Sequence, residues 1–147
     1  MNHILVLHGP NLNRLGAREP EVYGRMTLGE INQRLAQQAQ VLGAEVRALQ
    51  SNHEGALIDA LHDAQEWAQG VILNPGGYSH TSVALRDAVA SITIPVVEVH
   101  LSNVYGRDDF RHTSLVSPVC RAKIVGFGWR SYALALDGLL QLISEET

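Results

Sequence analysis

The chain has 147 residues, 46% of them hydrophobic and 18% charged, which suits one globular domain and excludes disordered and fibrous classes. A formal charge of -4, with no cluster of Lys or Arg, excludes general nucleic-acid binding, so any anionic ligand has to be held by local groups. The single cysteine, Cys120, excludes an intrachain disulfide and reads as a small half-buried residue; with no leader-like or membrane-spanning apolar stretch, the expected location is the cytoplasm.

The apolar run Ile4 to Leu7 predicts a buried first strand, and it feeds directly into the polar segment Gly9 to Gly24. That segment carries Asn11, Asn13, Arg14, Arg18, Glu19, Glu21 and Tyr23, and it is much longer than a βα turn of about 2 to 6 residues. It reads as a mobile catalytic segment. Thr27 then caps a helix, with Glu30 reaching back and Leu28, Ile31, Leu35, Ala39 and Leu42 on its apolar face, until Gly43 ends it.

A second strand is predicted over Ala44 to Leu49, a helix over 54–68 with Leu57, Ile58, Leu61 and Ala64 on one face, and a third strand over Val71 to Leu73. A helix over about Ser82 to Val89 leads to a fourth strand, Pro95 to Val99, and a fifth, Lys123 to Phe127. The last helix runs from about Ser131 to Ile143, where Tyr132, Leu136, Leu139, Leu140 and Ile143 keep helical spacing and read as core rather than as a cofactor box. Strands alternating with helices imply a parallel sheet covered on both faces.

Polar residues concentrate where these strands end: Gly9-Pro10-Asn11, Ser51-Asn52-His53, Asn74-Pro75-Gly76-Gly77 and His100-Leu101-Ser102-Asn103. All four are carboxyl ends, which parallel strands bring to one edge, the edge at which open α/β sheets bind ligands. Glu98 and His100, two apart in a strand, share a face; a carboxylate on one imidazole nitrogen fixes the tautomer and raises the basicity of the other, although the pair also suits a satisfied structural histidine.

Tyr23 alone is an ordinary loop aromatic, but Arg18, Arg107 and Arg111 are cations that favour a phenolate, which is a competent base. His80, in Ser79-His80-Thr81-Ser82, falls at a helix N-terminus, where capping by Ser79 or Thr81 competes with a role in ligand binding. Gly76-Gly77 serves either a tight turn or the close approach of a ligand to the backbone. There is no phosphate loop, no nucleophile elbow and no His-Glu-x-x-His, and no histidine pair has helical ligand spacing; metal-free chemistry is the expectation.

In these motifs the chain resembles the type II 3-dehydroquinate dehydratases. They are Gly9 to Gly24, Gln50-Ser51-Asn52-His53-Glu54-Gly55, Leu73 to Ser82, Ala84-Leu85-Arg86-Asp87-Ala88, Glu98 to Asn103 and Phe110-Arg111-His112. The resemblance covers nearly the whole chain and implies a flavodoxin-like doubly wound five-stranded parallel sheet with helices on both faces. Residues 1–147 would form a single catalytic domain with a lid at about 16–24.

It implies a metal-free conversion of 3-dehydroquinate to 3-dehydroshikimate in the shikimate pathway, through an enolate and with no cofactor. In that scheme Tyr23 is the base, held as phenolate by Arg18 with help from Arg107. Asn11 positions a water at the enolate oxygen, and His100, oriented by Glu98, protonates the leaving hydroxyl. The substrate carboxylate meets the amides of Leu101 and Ser102 and the side chain of Asn74, while His80 and Arg111 bind ring hydroxyls.

The resemblance also implies a homododecamer built from trimers, in which Asp87 reaches a neighbouring subunit's site. Four positions depart from the usual pattern: Arg14 for leucine, Tyr105-Gly106 for His-Ala, and Ser131 for glycine. Arg14 adds charge to the lid, and Tyr105-Gly106 is expected to loosen the loop that follows. The alternative, a non-catalytic flavodoxin-like ligand-binding module, fits less well: a receiver domain needs strand-end acids where Asn11 and Asn74 stand, and a flavin module needs a Ser/Thr-rich phosphate loop after the first strand.

Overall fold

A computed structural model describes residues 1–146. In chain order its main elements are β1 (Asn2–His8), α1 (Pro20–Tyr23), α2 (Leu28–Val41), β2 (Ala44–Gln50), α3 (Glu54–Trp67) and β3 (Gly70–Asn74). There follow α4 (Tyr78–Thr81), α5 (Val83–Ser91), β4 (Val96–His100), β5 (Ala122–Val125) and α6 (Arg130–Glu146), with single 3-10 turns at Leu12–Arg14, Val104–Gly106, Asp109–His112 and Ser117–Val119. The five strands are all parallel, in the order β2-β1-β3-β4-β5. That is the flavodoxin-like order, whose topological switch point lies between β1 and β3.

Strand alternation sorts the core into two layers. Ile4 and Val6 of β1 and Ile72 of β3 pack with Ile31, Leu35 and Ala39 of α2 and with Leu136, Leu139 and Ile143 of α6. Leu5, Leu7, Val71 and Leu73 face the other way, against Leu57, Leu61 and Ala64 of α3 and Leu85 and Val89 of α5. The same parity carried to the strand ends puts His8 and Asn74 under α2 and α6, and Glu98 and His100 under α3 and α5.

Thr27 caps α2 by accepting from the Glu30 amide at 3.2 Å, and Gly43, at φ +74°, terminates it. Several boundaries move by a residue or two. Pro95, which has no N–H for the ladder, stays outside β4, and β5 stops at Val125 because Gly126 turns away at φ +94°. The cap of α5 is neither Ser79 nor Thr81 but Ser82, whose hydroxyl accepts from the Leu85 amide at 2.8 Å; the preceding residues form the extra turn α4.

Tyr105 ties its loop down where loosening was expected. Its hydroxyl accepts from Lys123 Nζ at 3.0 Å, its ring lies 6.2 Å from that of His112, and His112 Nε2 donates to the Arg107 carbonyl at 3.1 Å. Ser131 is fully buried and its hydroxyl accepts from the Phe127 amide at 3.1 Å, a satisfied polar group at the start of α6. The Cys120 thiol is half-buried and pushed up to about 12 by burial and by the charge of Glu98, which keeps it protonated.

Candidate active site

The crevice opens at the switch point, over the carboxyl ends of β1, β3 and β4. Its floor is a backbone seam. Gly9 N donates to the Asn74 carbonyl at 2.8 Å, and a Cβ on Gly9 would lie 2.8 Å from the carbonyl carbon and oxygen of Pro75. A Cβ on Gly76, itself at φ +58°, would lie 3.1 Å from the Pro10 carbonyl oxygen and 3.2 Å from its ring. Glycines at these two positions let the loops after β1 and β3 touch main chain to main chain.

Asn11 leaves β1 in the left-handed region, at φ +70°, and its amide donates to Asn52 Oδ1 at 2.9 Å. Asn52, one of the strand-end polar residues but with no role expected of it, is a positioning group; Gln50 Nε2 also donates to its Oδ1, and Tyr78 Oη donates to its carbonyl. These contacts hold an unfavourable backbone geometry that sets the Asn11 side chain at the crevice wall.

The segment 16–24 adds Arg18 and Tyr23 to the crevice lining. One turn, α1, starts at Glu19 with φ +39° and delivers Tyr23, whose ring is bracketed by two guanidiniums, Arg18 at 4.7 Å and Arg107 at 5.2 Å from its centre. It is Arg107 that reaches the hydroxyl, donating from Nη1 at 2.7 Å, while Arg18 sits over the ring and within 3.6 Å of Glu19. Arg18, expected as the main partner of the phenolate, thus lies at the ring, and Arg107, expected to help, lies at the hydroxyl.

At the end of β4, His100 Nε2 donates to Glu98 Oε2 at 2.6 Å, and Glu98 is wholly buried. Burial alone would raise the Glu98 carboxyl. The hydrogen bond and charge of His100, the Ser117 hydroxyl and the charge of Lys123 outweigh it and hold the group below its ordinary value. Glu98 therefore stays a carboxylate, fixes Nε2 as the proton-bearing nitrogen and leaves Nδ1 for the crevice. Ser117, at 2.5 Å, and Ser114, at 3.4 Å, were not foreseen as its partners, because they come from a stretch with no periodic signal.

His80 lies within α4, and its Nδ1 donates to the Thr113 carbonyl at 2.8 Å, which leaves Nε2 as an acceptor. Burial, together with the charges of His100 and Arg111, keeps this imidazole below its ordinary range despite the bond to Thr113. Arg111 lines the same wall; its Nε is buried without a hydrogen-bond partner and stands 3.8 Å from Asp108.

Asn11, Arg18, Tyr23, Asn74, His80, His100, Leu101, Ser102, Arg107 and Arg111 all line the one crevice, although they are scattered from the first strand to the segment after the fourth. Glu98 stands behind His100. Asp87 does not join them: it is exposed on α5, outside the crevice wall. Three guanidiniums facing inward make the cavity attractive to an anion in a chain of net charge -4. Among the described residues no group of three or more His, Cys, Asp and Glu side chains is placed to hold a metal ion.

Residues 2–140 match the family model described as dehydroquinase class II. A 3-dehydroquinate dehydratase of Bacillus licheniformis is 59% identical over 137 residues, 93% of this chain and 94% of the relative. One from Nostoc sp. is 61% identical over 137 residues, 93% of each. The crystal structure of type II dehydroquinase from Butyrivibrio crossotus superposes with a TM-score of 0.93 at 44% identity, covering 95% of this chain and 97% of that one.

Proposed function

Since the chain belongs to the class II dehydroquinase family, we propose that its crevice holds 3-dehydroquinate by the residues just described. The reaction is the dehydration of 3-dehydroquinate to 3-dehydroshikimate, carbon–oxygen lyase chemistry of the shikimate pathway. The substrate carboxylate sits on the amides of Leu101 and Ser102 and on Asn74 Nδ2. Ring hydroxyls are met by His80 Nε2 and by Arg111, whose buried Nε lacks a protein partner.

The Tyr23 phenolate takes the proton from the carbon beside the ketone, and the electron pair moves onto the carbonyl oxygen as an enolate. Arg107 and Arg18 supply the positive charge that stabilises the phenolate. A water held by Asn11 donates to the enolate oxygen, where negative charge is greatest in the transition state. The enolate then re-forms the ketone and expels the hydroxyl on the next carbon, which His100 protonates to water; Glu98 stabilises the imidazolium that gives the proton. Deprotonating Tyr23 and reprotonating His100 through solvent would return each group to its resting form, and no step calls on a cofactor.

The observation that carries this reading is the contact of Arg107 with the Tyr23 hydroxyl in the crevice that also holds the Glu98-bound His100: one candidate base and one candidate acid share a single cavity. Residues 1–147 act as one catalytic unit, with 16–24 as the lid. A homododecamer built from trimers rests on the family resemblance, and the exposure of Asp87 outside its own crevice suits a residue that serves a neighbour. The shikimate-pathway role favours the cytoplasm, and no described helix is long and apolar enough to cross a membrane.

The test is ultraviolet absorbance of purified protein mixed with 3-dehydroquinate, since dehydration creates a conjugated enone. Growth that survives both chelator and borohydride is the expected result. A folded protein that produces none overturns the reading in favour of a binding module.

A further inference from the structure

We propose that Tyr132 and His8 are positioning residues that act through Asn74, fixing its carboxamide so that one Nδ2 hydrogen is presented to an anionic group of the substrate. The inference rests on the role of Asn74 given above. It explains a chain of polar groups running back from Asn74 of β3 that the reaction scheme leaves unused: Tyr132 of α6 and His8 of β1, both buried, and Asn32 of α2 at the half-buried end.

The direction of every bond in the chain follows from one end. The Gly76 amide can only donate, and it lies 3.1 Å from the Asn74 carboxamide, so the atom facing it is the oxygen. The other carboxamide atom is then nitrogen, and it donates to the Tyr132 hydroxyl oxygen at 2.9 Å. The Tyr132 hydrogen is free to go to His8 Nδ1, 2.9 Å away, which must carry a lone pair. Nε2 therefore holds the imidazole hydrogen and donates it to Asn32 Oδ1 at 2.8 Å.

A neutral His8 is what this order requires, and burial pushes its imidazole down to about 4. A flipped Asn74 would set donor against donor at Gly76 and, by drawing the Tyr132 hydrogen to its own oxygen, would leave the lone pair of His8 Nδ1 unpaired, a second mismatch. With His8 and Tyr132 fully buried and Asn74 nearly so, water cannot repair either mismatch. Since Asn74 Nδ2 carries two hydrogens and Tyr132 takes one, the second is left at the crevice wall in a fixed direction. Parity brings this about: His8 and Asn74 pair in register across β1 and β3, and both point toward the helices that supply Tyr132 and Asn32.

Steady-state kinetics of Tyr132→Phe, Asn74→Ala and the double variant test the idea. Tyr132→Phe keeps the ring and should raise KM roughly tenfold with kcat almost unchanged, the loss expected for one mis-set hydrogen bond. Asn74→Ala should raise KM at least as much, and adding Tyr132→Phe to it should change nothing further.

If Asn74→Ala raises KM but Tyr132→Phe does not, or if the two effects add, the positioning role is overturned and the role of Asn74 stands. If Asn74→Ala leaves KM unchanged, both fall. Should Tyr132→Phe fail to fold, Asn32→Ala at the half-buried end of the chain takes its place. It should give a KM increase of roughly threefold that vanishes in the Asn74→Ala background; an unchanged KM overturns the proposal.

Discussion

Arg107 donates to the hydroxyl oxygen of Tyr23 at 2.7 Å across a sequence separation of 84 residues, joining the loop after β4 to the lid before α2. On the proposed scheme, in which Tyr23 is the base and 16–24 a lid, a contact between these two loops would make lid closure and charge stabilisation of the base one event and tie proton abstraction to the exclusion of water.

Tyr23→Phe should abolish turnover while calorimetric substrate affinity changes by no more than about threefold, because the ring and its two guanidinium neighbours remain. Arg107→Gln should lower kcat by roughly 100-fold, in the range found when a positioned donor to a reacting oxygen is removed. Near-normal turnover in Tyr23→Phe would require another base.

His100→Ala should cost roughly 100-fold or more in kcat, the loss of a positioned proton donor. Glu98→Gln keeps an acceptor for Nε2 but removes the charge that stabilises the imidazolium, and a fall in kcat of roughly tenfold is expected. Stopped-flow traces of enone formation separate these effects on chemistry from product release.

The stability of the protein should fall on acidification in two steps with different owners. His8 has its ordinary value of 6.5 in the unfolded chain and about 4 in the native one. Below pH 6.5 the unfolded state takes up a proton that the native state refuses, so stability is fully present above 6.5 and declines down to about 4. The contribution is on the order of 3 kcal/mol. Glu98, lowered from 4.5, adds stability that is fully present above 4.5 and is lost as pH falls from there through its lower native value. Urea midpoints measured between pH 7 and pH 4 should therefore slope less steeply for His8→Gln than for the parent chain, and a parallel slope would refute the assignment.

Gly9→Ala should destabilise the fold by about 3 kcal/mol, at the upper end for overpacking, because the added methyl meets main-chain atoms rather than a side chain that could turn aside. Chemical denaturation measures it directly. An alanine tolerated within 0.5 kcal/mol would mean that the β1 and β3 loops can separate.

The five strands and four long helices were readable because buried parallel strands are short continuous apolar runs and Thr27 and Gly43 mark helix ends chemically. The convergence of Asn11, Asn74 and His100 followed from strand direction alone. What escaped were contacts with no periodicity behind them. Ser82 rather than Ser79 or Thr81 caps α5, since the chain inserts the turn α4 first. Tyr132 looked like core, and its ring is; its hydroxyl, which no hydrophobic pattern registers, joins His8 to Asn74. The grip of Arg107 on Tyr23 depends on where two loops happen to fold, and loop geometry is the least legible part of a sequence.

The seam between Gly9 and Asn74 also bears on how activity is acquired as the chain folds. β1 and β3 are neighbours in the sheet although β2 and the helices α1, α2 and α3 separate them in sequence, so this pairing closes one of the longer loops in the molecule. No contiguous stretch of the chain holds both halves of the catalytic apparatus, and neither half has a floor until the seam is shut. Chains in which β1 and β3 have not paired should therefore be inert toward substrate, however rich in helix, and the return of enone formation during refolding should report the closing of this seam.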